Sequence, residues 1–314
     1  MSFFRQDEQL KQLGTNILEA TWGKFPELKQ NQIALTWIVY DPPVIVNTGG
    51  ALSAVEFWKH QVRGFSYRGV EPIDAASMVQ LFYLVAIHEW LEGGMISSSP
   101  ELDRAIGDMM VKSSNDATSL VVDVLSGTTS GPELPPGPFQ TWKYQRNIVN
   151  RYYKSLGWQE LENINLNQKT WTDEPYGRER EFMGNLRENR NILTTEATAR
   201  LLHSIIGGVA VSSKRSQQMM SLLKRSLTPN NLVLQSEENK VTGFLEQVLP
   251  QNAQIWSKAA FTKDLRHDAA YIEVPEGGQP YLLVVFTEGK INSQNKDIFP
   301  FISRSFVSAM ENIS

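Results

Sequence analysis

The chain predicts a mixed α/β fold (α+β): an antiparallel sheet flanked by N- and C-terminal helices, with an all-helical region inserted between its strands. Three observations carry this. Runs rich in β-branched and aromatic residues lie only toward the two ends, at Ile33–Tyr40 and Phe57–Tyr67, then at Gln254–Phe261, His267–Val274 and Tyr281–Thr287. Helical spacing dominates the middle, and a helical segment opens and closes the chain. Two chain ends then build one sheet, which makes residues 1–314 a single domain with subdomains 1–74 plus 200–314 and a helical 75–199.

The elements follow in order. Up to about Leu28, apolar residues recur at Leu10, Leu13, Ile17 and Leu18, and Pro26 lies near the end, the pattern of an amphipathic helix and its stop. After the first strand, DPPVIVNTGG (41–50) has the Pro and Gly punctuation of a turn. Ser77–Glu92 is apolar on nearly every face, as a buried central helix requires, and Gly93-Gly94 ends it. Leu102–Val111 and Asp116–Leu125 read as further helices. SGTTSGPELPPGPFQ (126–140), with four prolines and three glycines, reads as a loop, and Thr141–Leu156 as a helix stopped at Gly157.

Gln159–Arg190 is polar and weakly periodic. It reads as an extended, omega-like loop, and a loop of that length inside a compact domain is usually functional or mobile. Thr194-Thr195 then caps EATARLLHSII, Ser216–Leu227 follows as a helix with a charged face, and Ile298–Ile313 closes the chain.

Composition narrows the function classes. A chain of 314 residues, 41 % hydrophobic and with eight tryptophans, can bury a sizeable core. A formal net charge of −4 gives no basic footprint for nucleic acid. With no cysteine there is no disulfide, thiolate metal site or cysteine nucleophile. No apolar run approaches the ~18 residues of a membrane span, and the opening MSFFRQDEQL lacks a basic stretch followed by an apolar one. The expectation is a cytoplasmic protein with a small-molecule ligand, no metal, no cofactor and no membrane or nucleic-acid partner. Its oligomeric state is left open.

Three segments carry candidate chemistry, in this order: AASMVQLFYLVA (75–86), MMVKSSNDATSLVVDVL (109–125) and IWSKAAFTKDLRHDAAYIEVPEGGQPYLLVVFT (255–287). Together they resemble class A β-lactamases and penicillin-binding proteins, whose motifs are S-x-x-K, S-D-N and K-T-G. LTTEATARLLHSII and the closing helix are similar to the same family. Ser77 to Ser113 is shorter than its usual spacing, and Ser113 to Lys258 is longer.

The resemblance implies a β-lactamase-like fold and assigns roles. Ser77 takes the nucleophile position and Gln80 that of the lysine. Ser113-Ser114-Asn115 stands for S-D-N, with Asn115 toward the substrate, and Lys258-Ala259-Ala260 for K-T-G. Aligning ENINLN (162–167) puts Asn163 where the family carries an omega-loop glutamate. Arg266 would hold a substrate carboxylate, and the backbone N–H groups of Ser77 and Phe261 would form the oxyanion hole.

The departures matter chemically. A serine hydroxyl is a poor nucleophile until a base takes its proton, and residues three apart on a helix share a face. Gln80 keeps the position of such a base but accepts no proton. Ala259 lacks the threonine hydroxyl, and Ala260 adds a methyl where an acyl chain would lie. His88, eleven residues beyond Ser77 and so about 16 Å along a helix, is expected to be a core or surface histidine, too far away to be the base. Two readings follow. One is an impaired serine hydrolase acting on an amide, ester or β-lactam through Ser77, with Ser113 and Lys258 as a proton relay. The other is a non-catalytic ligand-binding or scaffold protein on the same fold.

Overall fold

The computed structural model describes residues 2–41, 50–227, 243–274 and 278–313. Most of the expected turn at 41–50 lies outside them. The chain divides into two compact units, a helical one of residues 72–194 and a sheet unit of residues 2–71 and 195–314.

The sheet unit begins with β1 (Phe4–Gln6), α1 (Glu8–Lys24), β2 (Ile33–Val39), α2 (Ala54–Phe57) and β3 (Val62–Tyr67). Asp7 caps α1 by accepting from the Leu10 N–H. The strand expected from Phe57 starts only at Val62. Ser53 and Glu56 form a reciprocal capping box that closes a helical turn through Phe57, so local hydrogen bonding overrides the β propensity there. β1 was not foreseen: three residues are too few for a pattern, and β1 is fixed by parallel pairing to β3.

The helical unit contains β4 (Ile73–Asp74), α3 (Val79–Glu92), α4 (Pro100–Val111), α5 (Asn115–Ser126), α6 (Pro136–Arg146), α7 (Ile148–Ser155), α8 (Gly177–Met183) and β5 (Ile192–Leu193), which pairs with β4. Val79 to His88 are all buried, as the all-round apolarity of this helix predicts, and His88 is in the core. The helix expected at Thr141–Leu156 starts earlier, at Pro136, and breaks at Asn147.

The expected loop at 159–190 is neither structureless nor loosely attached within this unit. The side chains of Asn147, Asn150, Asn165, Asn167 and Asn189 hydrogen-bond one another, Asn167 Nδ2 lying 2.8–3.0 Å from the amide oxygens of Asn147, Asn165 and Asn189. Asn191 accepts from the backbone N–H groups of Asn167 and Gln168. Farther along, Arg146 bridges Asp123 and Glu179 at 3.1 and 2.7 Å, and Lys169 bonds Asp123 at 2.6 Å and Ser130 at 2.8 Å. Gly177, at φ +51°, passes so close to the Gly131 carbonyl that a Cβ would meet its oxygen at 2.1 Å. Polar side chains thus do here what a hydrophobic stripe does elsewhere, which is why periodicity did not reveal it.

The sheet unit resumes with α9 (Thr195–Ile206), α10 (Ser213–Leu223), β6 (Lys224–Arg225), β7 (Gln254–Phe261), β8 (Leu265–Glu273), β9 (Tyr281–Glu288), α11 (Lys290–Gln294) and α12 (Ile298–Met310). The helix expected to reach Leu227 ends at Leu223, because Lys224 and Arg225 pair with Trp256 and Ile255. The strands run β1-β3-β2-β9-β8-β7-β6, antiparallel except for β1 beside β3. Alternate residues of β2 (Ile33, Leu35, Trp37, Val39) join a core with α1 and α12. The opposite face meets α9, where Thr36 and Thr195 hydroxyls bond at 2.8 Å. Both faces are covered, so every residue of β2 is buried. Among the described residues, no helix is long and apolar enough to cross a membrane.

Candidate active site

Within the helical unit, the chain enters α3 through a 3-10 turn, Ala76–Met78, that carries Ser77. Ala76 has φ +43°, uncommon for a residue with a Cβ. The turn is held on both sides of it: Ala75 N–H donates to Asn191 O, Ala76 N–H to the Asp74 carboxylate and Met78 N–H to Ala75 O. Ser77 is left half-buried at the start of a rigid, fully packed helix.

One turn on, Gln80 is 0 % exposed. Its amide oxygen accepts from Ser113 Oγ at 2.9 Å and its Nε2 donates to Thr118 Oγ1 at 2.8 Å. The structure therefore brings Gln80 together with Ser113, and adds Thr118, which the motifs did not single out. Thr118 lies one turn inside α5, and no local pattern marks such a residue. Ser113 itself has φ +55°. The N-cap of α5 is Ser114, whose hydroxyl accepts from Ala117 N–H. Asn115 donates to Thr172 Oγ1 at 3.0 Å. Asn163 is exposed, just beyond a short 3-10 turn at Gln159–Leu161.

Within the sheet unit, Lys258, Ala259, Ala260 and Phe261 form the C-terminal half of β7, paired with Arg266–Ala269 of β8. Lys258 is 2 % exposed, and its ammonium donates to Ala259 O at 2.7 Å. Burial pushes its pKa down to about 7, with Arg225 adding to the effect and Asp268 opposing it. Ala260 is buried, Ala259 and Phe261 half-buried. Arg266 is 1 % exposed, donates through Nε to Ser293 O and through Nη1 to Gly243 O, and lies over the rings of Phe244 and Phe261. Those donors tie β8 to the end of α11 and to Gly243. The sequence could not show this, because both carbonyl partners come from distant backbone.

A seven-stranded sheet with the terminal helices on one face and α9 on the other, an inserted helical unit, and a serine at the mouth of that unit's buried helix define a serine β-lactamase-like protein. The chain belongs to the β-lactamase enzyme family, whose sequence model matches residues 94–309. No curated protein sequence matches it. Among solved structures it is similar in fold to a β-lactamase from Sphaerobacter thermophilus, at 15 % identity with 96 % of this chain and 98 % of that one covered and a TM-score of 0.60. It is similar, too, to a class A β-lactamase from Bacteroides cellulosilyticus, at 15 % identity, 96 % and 99 % coverage and a TM-score of 0.59. A variant of PBP-A, solved as an acyl-enzyme complex with penicillin G, matches at 16 % identity, with 98 % of both chains covered and a TM-score of 0.64.

Proposed function

We propose that this protein is an impaired acyl-transfer member of its family, in which Ser77 takes up an acyl group from a β-lactam or a related amide or ester and releases it slowly. The observation that carries this reading is the neutral Gln80 amide, hydrogen-bonded to Ser113 and Thr118 one turn after Ser77. In the reaction, Ser77 Oγ attacks the carbonyl carbon, the amide C–N bond breaks, and the serine proton passes to the leaving nitrogen. An amide in place of a base transfers no proton, and a positioned base is worth about 10²–10⁴ in rate. The penicillin G acyl-enzyme of the PBP-A variant supports penicillins as the first probe.

The test is intact-mass analysis after incubation with a reactive penicillin, with Ser77→Ala as control. A mass increment in the wild type that is absent from the control is the expected result. No increment in the wild type, nor after Gln80→Lys, Ala259→Thr and Ala260→Gly together, overturns the reading in favour of a non-catalytic ligand-binding protein.

A further inference from the structure

We infer that Thr118 is a positioning residue that fixes the Gln80 amide and, through it, turns the Ser113 hydroxyl into a hydrogen-bond acceptor toward any ligand. The role of Ser113 toward a ligand rests on the reading just proposed; the direction of the hydrogen bonds does not.

The direction follows from donor and acceptor chemistry. Thr118 Oγ1 lies 2.7 Å from Ser114 O. A carbonyl only accepts, so the threonine proton is committed to the preceding helical turn. Thr118 then has only lone pairs to offer Gln80, and the atom 2.8 Å away must be the amide nitrogen. The second amide hydrogen has Ser113 O at 3.5 Å. With the nitrogen placed, the amide oxygen faces Ser113 Oγ at 2.9 Å. That oxygen also only accepts, so the Ser113 proton points at Gln80. One hydroxyl on α5 thereby sets the polarity of a chain that ends on a motif serine, all of it held among buried or half-buried groups.

The consequence is specific. A leaving nitrogen needs a proton, and the proton of Ser113 is directed away from it, into position 80. Reversing the chain means rotating the Gln80 amide, which costs the bond to Thr118 and faces its oxygen with another acceptor. Ser113 is therefore suited to ligands that present an N–H or ammonium donor to it. Thr118 also conditions any amine at position 80, because an acceptor beside an ammonium favours the charged form.

The test reads the side-chain NH₂ of Gln80 in ¹⁵N-labelled protein, identified by its loss in Gln80→Ala. Thr118→Val removes only the hydroxyl, Thr118→Ser restores it, and Thr118→Ala substitutes should the valine fail to fold. Slow hydrogen exchange of this NH₂ is expected in the wild type and in Thr118→Ser, rising roughly ten-fold in Thr118→Val. Unchanged exchange in folded Thr118→Val overturns the assignment. A second readout is the pH profile of penicillin adduct formation in Gln80→Lys with and without Thr118→Val. Its midpoint is expected to fall by about one unit when the hydroxyl is removed, and coincident profiles overturn the assignment. Adducts absent from every variant overturn the Ser77 reading instead, and leave the amide exchange to decide this one.

Discussion

The two units bury polar groups in opposite ways. In the helical unit, position 80 is a neutral amide with a partner at each end, and the charges of Asp123, Arg146, Lys169 and Glu179 are matched in one cluster. In the sheet unit, Lys258, Arg225, Glu246 and Asp268 are crowded into the interior, and burial shifts all four toward their neutral forms. Gln80 takes up no proton, whereas Lys258, pushed to about 7, holds and releases one near neutral pH.

The contrast can be broken from the helical unit first. Arg146→Ala should strand the buried Glu179 carboxylate, Asp123 keeping Lys169, and cost about 3–5 kcal/mol in urea unfolding; a loss below about 1 kcal/mol would show that the cluster is not what fixes this loop. Lys258→Met removes the amine that burial holds down. Its folded pKa of about 7 lies below the ordinary 10.5, so the wild type gains stability as pH rises through that window and the variant lacks the gain. Between pH 7 and 9 the wild type should gain roughly 2 kcal/mol relative to the variant; parallel stability curves would contradict a depressed pKa.

His203 sharpens the same point on the acid side. Its Nδ1 bonds Tyr40 OH at 2.9 Å among the rings of Phe3, Phe57 and Trp58, and burial, with Arg200, lowers its pKa from 6.5 to about 3. The unfolded chain then takes up a proton first, so stability is lost as pH falls from about 6.5 toward 3. From pH 7 to pH 5 the wild type should lose roughly 2 kcal/mol more than His203→Phe, as read by chemical unfolding at each pH. The smallest effect expected is Asn115→Ala, which deletes one exposed bond to Thr172 and should cost about 0.5–1 kcal/mol of stability. A larger loss would make Asn115 a structural anchor of the loop.

The sequence by itself determined the order of the longer strands, the burial of α3, and the serine-bearing motif segments. Each is written as an apolar period or a short run, and such patterns survive without knowledge of partners. It placed an amide, too, at position 80, where the resemblance leads one to expect a base. Only the tertiary structure decided what that amide does. The partnership of Gln80 with Ser113 and Thr118 joins residues more than thirty apart, and the donors of Arg266 end on backbone carbonyls of Gly243 and Ser293 that no pattern names. The loop at 159–190 is fixed by amide-to-amide bonds and a buried ion cluster, which leave no hydrophobic period to read. Hydrogen-bond direction and pKa depend on which atoms meet, and the meeting is made by the fold.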